Sequence, residues 1–377
     1  MMKSLIEFLK KETVLCIAFL LAVISAFIVP VDAQYIEYMD FRVLVLLFAL
    51  MTVMSGLQSL GIFEKLSYSL LKYVKSTRSL TLLLVSLCFF LAMFITNDVA
   101  LITFVPFTIL ILEKIDSHKN MIPIIVLETI AANLGSMLTP IGNPQNLYLY
   151  GLSGLSIGEF LLHMAPSTAL SFVLLIICSL FLKKETIAIV ETTNTFENKK
   201  PVLTAYYFAL FILCLLTVAY LIPYPVLLLV SIPILLIWDR STLKQVDYCL
   251  LLTFISFFIF IGNMQRIPAV AEMISSLVEG KELITAFLAS QIISNVPAAM
   301  LLSGFTDNYR DLLLGVNIGG LGSLIASLAS LISFKYFANY VANLPKESNI
   351  TKGKYLAHFT SMNALFAVVL LGFVFLF

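Results

Sequence analysis

A chain of 377 residues that is 60% hydrophobic and only 12% charged lies outside the range of soluble domains, in which charged residues alone make up about a quarter. Its net charge of +1 gives no basic surplus to suit nucleic acid, and its five cysteines stand at no metal-ligand spacing. What remains is an integral membrane protein embedded in a lipid bilayer, in which apolar stretches of about 17–25 residues mark helices able to cross a hydrocarbon core about 30 Å thick.

In chain order, spans are predicted near Thr13 to Pro30 and Phe41 to Leu57. Next, Phe63, Leu66, Leu70 and Tyr73 recur at helical spacing opposite Glu64, Lys65, Lys72 and Lys75, the pattern of a helix lying in the interface. The apolar run from Leu80 to Leu112 is broken at its centre by Thr96-Asn97-Asp98 and reads as a helical hairpin, residues 79–114. Met121 to Tyr150 is a span with glycines and prolines at its middle, a broken helix over 121–150, and Pro166 to Leu182 closes the first half. Residues 183–202 form the longest polar stretch and read as a cytoplasmic linker. The second half runs through Leu203 to Leu221, Tyr224 to Trp238 and Tyr248 to Gly262, then an amphipathic segment from Ile267 to Val278. A second run, Leu283 to Phe305, is broken by Ser294-Asn295-Val296-Pro297 and gives a hairpin over 282–305. A second broken helix over 310–334 and a closing span, Leu356 to Phe377, complete the chain. The expected fold is all-α, with about nine transmembrane helices and two re-entrant hairpins.

With the N-terminus in the cytoplasm, 19 of the 23 basic residues fall in cytoplasmic loops, and only Arg42, Arg266, Lys281 and Arg310 fall outside. This split supports the spans and puts the C-terminus outside. It treats a hairpin and two full crossings alike, because both return the chain to its starting side. The first amphipathic segment and hairpin then belong to the inner side and the second pair to the outer side. Residues 1–182 and 203–377 are accordingly expected to be inverted repeats, the arrangement that gives transporters two mirror-related conformations.

Each hairpin break is followed by a second shared phrase. Asn133-Leu134-Gly135-Ser136 leads to Thr139, and Asn317-Ile318-Gly319-Gly320 leads to Ser323, with six residues from Asn to hydroxyl in both copies. Polar breaks in hydrocarbon are tolerated where they are buried in protein or line a cavity, so the matched pairs point to one site built by two halves. Thr96, Asn97, Asp98, Ser294 and Asn295 stand at helix starts, where free N–H groups and the positive dipole end attract anions, and Pro297 suits a first turn. Carbonyls near Ile95 and Ile293 offer ligands to a small cation such as sodium. Plain helix capping uses the same residue types. A carboxylate in mid-membrane, however, costs roughly 2.5–3.5 kcal/mol, which singles out Asp98 as a carrier of a coupling proton or sodium ion. The string Asn133 to Asn146 holds two prolines and two glycines and must unwind. It offers Asn133, Thr139, Pro140 and Asn143 to a substrate and Gly135, Ser136 and Thr139 to an ion. Its counterpart offers Asn317 and Ser323 to a substrate and Gly319 and Gly320 to an ion. Glu128, about two turns into its span, reads either as a proton carrier or as a hydrogen-bonded interhelical group. No HExxH, Walker loop, nucleophile elbow or Cys cluster is present. No enzyme activity, transition metal or organic cofactor is therefore expected, only sodium or protons as coupling ions.

On these residues the chain resembles the ion transporter superfamily, in particular its ArsB/NhaD-type permeases and citrate-transporter-like proteins. Asn97-Asp98 looks like the Asn-Asp phrase of the arsenite permease ArsB, Leu138-Thr139-Pro140-Ile141-Gly142 looks like the Thr-Pro-Ile-Gly phrase of that branch, and Asn295-Val296-Pro297 is similar to its Asn-x-Pro tip. The related divalent anion:sodium symporters carry Ser-Asn-Thr at both tips, which bind substrate carboxylates and frame two sodium sites. The resemblance implies those roles for Asn97 and Asn295 and for the breaks at 135–139 and 319–323. This chain has Asp98 and Val296 where that pattern has Thr. The resemblance also implies an elevator mechanism and a homodimer. The expected function is a secondary active transporter of the cytoplasmic membrane for a small inorganic or carboxylate anion, coupled to sodium or protons, with a sodium/proton antiporter as the rival.

Overall fold

The structure, a computed structural model, describes residues 12–187, 200–344 and 350–376. The centre of the predicted linker, 188–199, lies outside the described residues, as do Lys3, Lys10, Lys11, Lys199 and Lys346 of the topology count. The described residues form 19 α-helices and no strand, so the protein is an all-α membrane protein.

The first half begins with α1 (Thr13–Ile28), the short α2 (Gln34–Glu37) and α3 (Phe41–Ser59), then the amphipathic α4 (Ile62–Leu71). Its hairpin is α5 (Thr77–Ile95) and α6 (Asn97–Lys114); its interrupted helix is α7 (Met121–Ser136) and α8 (Pro144–Ser153), closed by α9 (Ile157–Phe181). After the linker come α10 (Pro201–Val218), α11 (Tyr224–Trp238), the short α12 (Arg240–Leu243), α13 (Tyr248–Gln265) and the amphipathic α14 (Pro268–Val278). The second hairpin is α15 (Glu282–Ile293) and α16 (Asn295–Ser303), the second interrupted helix α17 (Tyr309–Gly319) and α18 (Leu328–Ala342), and the last helix α19 (Lys352–Leu376).

Short polar residues start these helices by accepting hydrogen bonds from free backbone N–H groups. Asp40 takes Val43 N at 2.9 Å before α3, and Ser76 with Ser79 closes a capping box at α5. Ser156 and Glu159 close another at α9, which allows that 25-residue apolar helix to begin abruptly after Gly154.

Among the described residues, six helices are long and apolar enough to cross a membrane: α3, α5, α9, α10, α13 and α19. α1 and α11, at 16 and 15 residues, reach only about 24 and 22 Å at 1.5 Å per residue. The two hairpins are unequal. Arms α5 and α6 have 19 and 18 residues, about 28 and 27 Å long, whereas α15 and α16 have 12 and 9, about 18 and 14 Å. The second pair is too short for a core of about 30 Å. The amphipathic α4 buries Phe63, Ser67 and Leu71 and leaves Leu66 exposed, a face turned by one position from the apolar stripe in the sequence. In a bilayer an outward leucine meets lipid, so the apolar stripe no longer marks the inward face.

Packing recurs between the halves. α5 lies along α7 as α15 lies along α17, and α6 and α16 pack on those same helices. Beyond the breaks the chain crosses over: α18 packs on α6 of the first half, and α8 packs on α16 of the second. α7 is the most enclosed element, with every residue from Ile124 to Ser136 buried.

Candidate functional site

The two hairpin tips have the same backbone. Thr96 sits at φ 70°, ψ 152° and Ser294 at φ 74°, ψ 154°, each a single non-helical residue between two helices. A residue with a Cβ holds such a conformation at a cost of about 1–3 kcal/mol, and only where its surroundings impose it. One residue suffices to reverse the chain, so Asn97 and Asn295 begin helices α6 and α16, both buried, with their first backbone N–H groups inside the protein.

The shared asparagines of the broken helices are held by a reciprocal clasp. Asn133 on α7 accepts from Ser327 Oγ at 3.0 Å and donates to Ser330 Oγ at 3.3 Å. Asn317 on α17 accepts from Asn143 Nδ2 at 3.0 Å and donates to Asn146 Oδ1 at 2.6 Å. Asn143 and Asn146 stand ten and thirteen residues after Asn133, and Ser327 and Ser330 stand ten and thirteen after Asn317. Each asparagine is thus gripped by the two positions of the other half that match those following itself. The grip closes because α8 and α18 cross over.

A second matched pair seals the hairpin arms. Thr139 Oγ1 donates to the Met93 carbonyl, and Ser323 Oγ donates to the Gln291 carbonyl at 3.2 Å, in each case the carbonyl three residues before the tip. These carbonyls belong to last turns that lack an intrahelical donor. Glycine permits the close approach that this requires. A Cβ on Gly135 would lie 2.1 Å from the Phe89 carbonyl oxygen, and one on Gly319 would lie 2.6 Å from Ser290 Oγ and 3.2 Å from Phe287 Cα. Phe89 and Phe287 both precede their tip by seven residues.

The tips join this network unequally. Asn97 Nδ2 donates to Asn133 Oδ1 at 3.1 Å and its backbone N to Gly142 O at 3.1 Å. Ser294 Oγ reaches only the Ala326 carbonyl, at 3.5 Å. The Asn295 side chain, 4% exposed and packed beside Gly320, makes no hydrogen bond among the described residues. Nor does the carboxylate of the half-buried Asp98. The amides of Asn97, Asn133, Asn143, Asn146, Asn317 and Gln291, by contrast, are all paired.

The structure therefore gathers Thr96, Asn97, Asp98, Asn133, Gly135, Ser136, Thr139, Asn143, Ser294, Asn295, Asn317, Gly319, Gly320 and Ser323 around the two tips and two breaks. Ser136 remains helical, donating to Asn133 O at 2.8 Å and accepting from Asn143 Nδ2 at 3.1 Å. The unwinding begins later than the sequence suggests, at residue 137 rather than at Asn133. Pro140 is buried in the turn and Pro297 in the first turn of α16, where they shape backbone and bring no donor. Glu128 lies halfway along α7 and bonds to none of these residues. Cavities of about 500 Å³ beside Tyr150, Ser156 and Tyr220, and about 570 Å³ between α1 and α13, both lie away from the cluster.

Sequence reasoning missed four members of the network. Asn146 also donates to the carbonyls of Met137 and Thr139, at 3.1 and 3.0 Å, and so pins the unwound turn. Gln291 bridges the second break by donating to Gly319 O and Leu321 O at 2.9 Å each and accepting from Ser323 N at 3.0 Å. Ser327 and Ser330 complete the clasp. The signal for the serines was their fixed offset from Asn317, which becomes visible once Asn143 and Asn146 are numbered from Asn133.

A family profile described as citrate transporter, CitMHS, matches residues 4–309. Over 307 residues the chain is 34% identical to an uncharacterized transporter of Methanocaldococcus jannaschii, covering 81% of this chain and 83% of that protein. It is also 34% identical over 300 residues to the inner membrane protein YbiR of Escherichia coli, covering 78% of this chain and 80% of that protein. A shorter stretch of 142 residues, 37% of this chain and 28% of the other, is 30% identical to a silicon efflux transporter of Oryza sativa subsp. japonica. With four-fifths of its length matched, the chain belongs to the citrate transporter family, a family of membrane transporters.

Proposed function

We propose that this protein is a secondary active transporter of the cytoplasmic membrane that moves a small inorganic or carboxylate anion, coupled to sodium or protons. The observation that carries the reading is the convergence of both hairpin tips and both helix breaks in one buried polar cluster, in which the amide of Asn295 is left without a partner among the described residues. An amide with no protein partner keeps its two N–H donors free for a bound solute. The helix starts at Asn97 and Asn295 favour negative charge, and Asp98 supplies the site for the coupling cation. The family profile names citrate, a small oxygen-rich anion of the kind that amide and hydroxyl donors suit.

The recurring element order and the crossed packing support two inverted halves, one tip reached from each side, and alternating access by an elevator movement of hairpins and broken helices against the remaining helices. An N-terminus in the cytoplasm, a C-terminus outside and a homodimer belong to the same proposal. A sodium/proton antiporter without an anionic substrate is the second reading, favoured by the unpaired carboxylate of Asp98.

Thermal shift of the purified protein, with citrate, phosphate, arsenite and silicic acid each tested across sodium concentration and pH, separates the two readings. A ligand at 1,000 times its Kd that binds only the folded state adds about 4 kcal/mol of stability. An anion shift that depends on sodium or pH is expected. A response to sodium and pH alone, with no anion shifting the transition, replaces the anion transporter by the antiporter.

A further inference from the structure

Glu128 is fully buried on α7, its Oε1 accepts from Thr108 Oγ1 of α6 at 2.5 Å, and its Oε2 has no partner among the described residues. Glu282, also buried, shows the ordinary arrangement: it sits at a helix start and accepts from Thr306 Oγ1 at 2.9 Å and Gly280 N at 3.2 Å. Glu128, in mid-helix, has neither a free backbone N–H nor a second hydroxyl. The titratable groups that face it are Cys88 of α5 and Tyr355 of α19, and no Lys, Arg or His of the described residues forms an ion pair with it. Glu128 is five residues before Asn133 on α7, about 7.5 Å along the helix, and Thr108 is eleven residues along α6 from Asn97, so this carboxyl lies beside the candidate binding cluster and bonds to none of its members.

A seam of hydroxyls begins at the next residue. Thr129 Oγ1 and Ser333 Oγ are 2.6 Å apart, and Ser333 Oγ and the buried Tyr355 OH are 3.3 Å apart. One turn further along α7, Asn133 joins Ser330 and Asn97, so the seam is continuous in direction with the clasp. Apart from Ser136 at its end, the rest of α7 past Met121 is apolar or glycine. Interiors this dry seldom hold four polar side chains in line unless each is paired or used.

We infer that Glu128 is a proton-exchanging site, separate from the hairpin tips, which binds and releases one proton by way of the Thr129, Ser333 and Tyr355 hydroxyls during transport. The inference rests on the transporter reading. An ionised carboxylate with an orphaned oxygen in an apolar interior is far costlier than the neutral acid, so in the packing seen here Oε2 carries the proton. Release transfers that proton to a water bridging Oε2 to the seam, whose hydroxyls each pass one proton on to bulk water, giving a carboxylate and a hydronium ion; loading is the reverse. Thr108 can bond either form through Oε1, which leaves Oε2 as the exchanging atom.

Infrared spectroscopy of the purified protein reads the carbonyl stretch of a protonated carboxylic acid directly. The wild type should show a band that is absent in Glu128→Gln, present in Asp98→Asn, and lost reversibly as pH rises. Tyr355→Phe should keep the band and slow its deuterium exchange several-fold, an effect that a purely structural tyrosine would not produce. In proteoliposomes, citrate uptake driven by an inward acid gradient should fall at least tenfold in Glu128→Gln, which keeps the side-chain shape and should fold normally. A Glu128 band that is missing throughout, or that never titrates while the protein stays folded, overturns the inference. If the wild type takes up none of the anions that the thermal-shift screen tests, the anion reading is what fails, and the infrared titration still decides the role of Glu128.

Discussion

Thr96 and Ser294 hold φ angles of 70° and 74° although neither is glycine. Glycine at either tip would relieve about 1–3 kcal/mol of strain against about 0.5–1 kcal/mol of added unfolded-state entropy. Thr96→Gly and Ser294→Gly should therefore leave the melting temperature unchanged or raise it; a clear fall would show that the hydroxyl outweighs the strain. The neighbouring asparagines should behave differently from one another. Asn97→Ala removes a buried donor from Asn133 and should cost about 1–2 kcal/mol, while Asn295→Ala breaks no hydrogen bond and should be close to neutral for stability. Both should lose transport in proteoliposomes, and wild-type uptake in either variant counts against the paired-tip site. Both tips are legible in the sequence, because Asn and Asp in the middle of an apolar run are costly in hydrocarbon unless protein or water surrounds them. Which asparagine is paired and which is free was not legible, since that depends on how far each tip lies from a helix that crosses it.

At the scale of elements, the contact between each hairpin arm and its broken helix is set by glycine. A methyl group on Gly135 would collide with backbone at Phe89, whereas on Gly319 it would chiefly meet the side chain of Ser290, which has somewhere to turn. Gly135→Ala should thus lower the melting temperature more than Gly319→Ala, and equal effects would mean that α15 yields no more easily than α5. Gly135→Ala should also move the Thr139 hydroxyl away from the Met93 carbonyl, since α5 and α7 must separate to admit the methyl group. Apolar length and terminal polar residues fix α11 over Tyr224–Trp238 as the sequence predicts, whereas α9 begins at Ile157, nine residues before the predicted Pro166, because the Ser156–Glu159 capping box starts it and Pro166 is carried inside the helix. The inward face did not follow for α4, where Ser67 is buried and Leu66 exposed. Hydrophobic pattern separates core from water; between core and lipid both sides are apolar, so the criterion fails there.

The whole molecule is tied together where the chain crosses between halves, and the clasp is the tie. Composition and span lengths made the membrane fold legible, and spelling made the two related phrases legible. The crossover itself was hidden, because four of the residues involved are ordinary Ser and Asn whose meaning lies only in their offsets of ten and thirteen. The two grips are matched in position and unlike in chemistry: hydroxyls hold Asn133, amides hold Asn317. A serine grip makes one bond per side chain and can turn to another acceptor, whereas Asn143 and Asn146 are also bonded to Ser136 and to the unwound turn and hold one geometry. Double-mutant cycles measure the difference. For residues in direct contact, coupling energies run from about 0.5 to 3 kcal/mol. The Asn317→Ala and Asn146→Ala pair should lie near the upper end of that range and the Asn133→Ala and Ser330→Ala pair near the lower, read from chemical or thermal unfolding in detergent. If both pairs couple equally, the grips are interchangeable and the difference in chemistry carries no difference in rigidity. If the first pair couples more strongly, α8 is fixed to the second half more firmly than α18 is to the first, and movement between the halves should begin at Ser327 and Ser330.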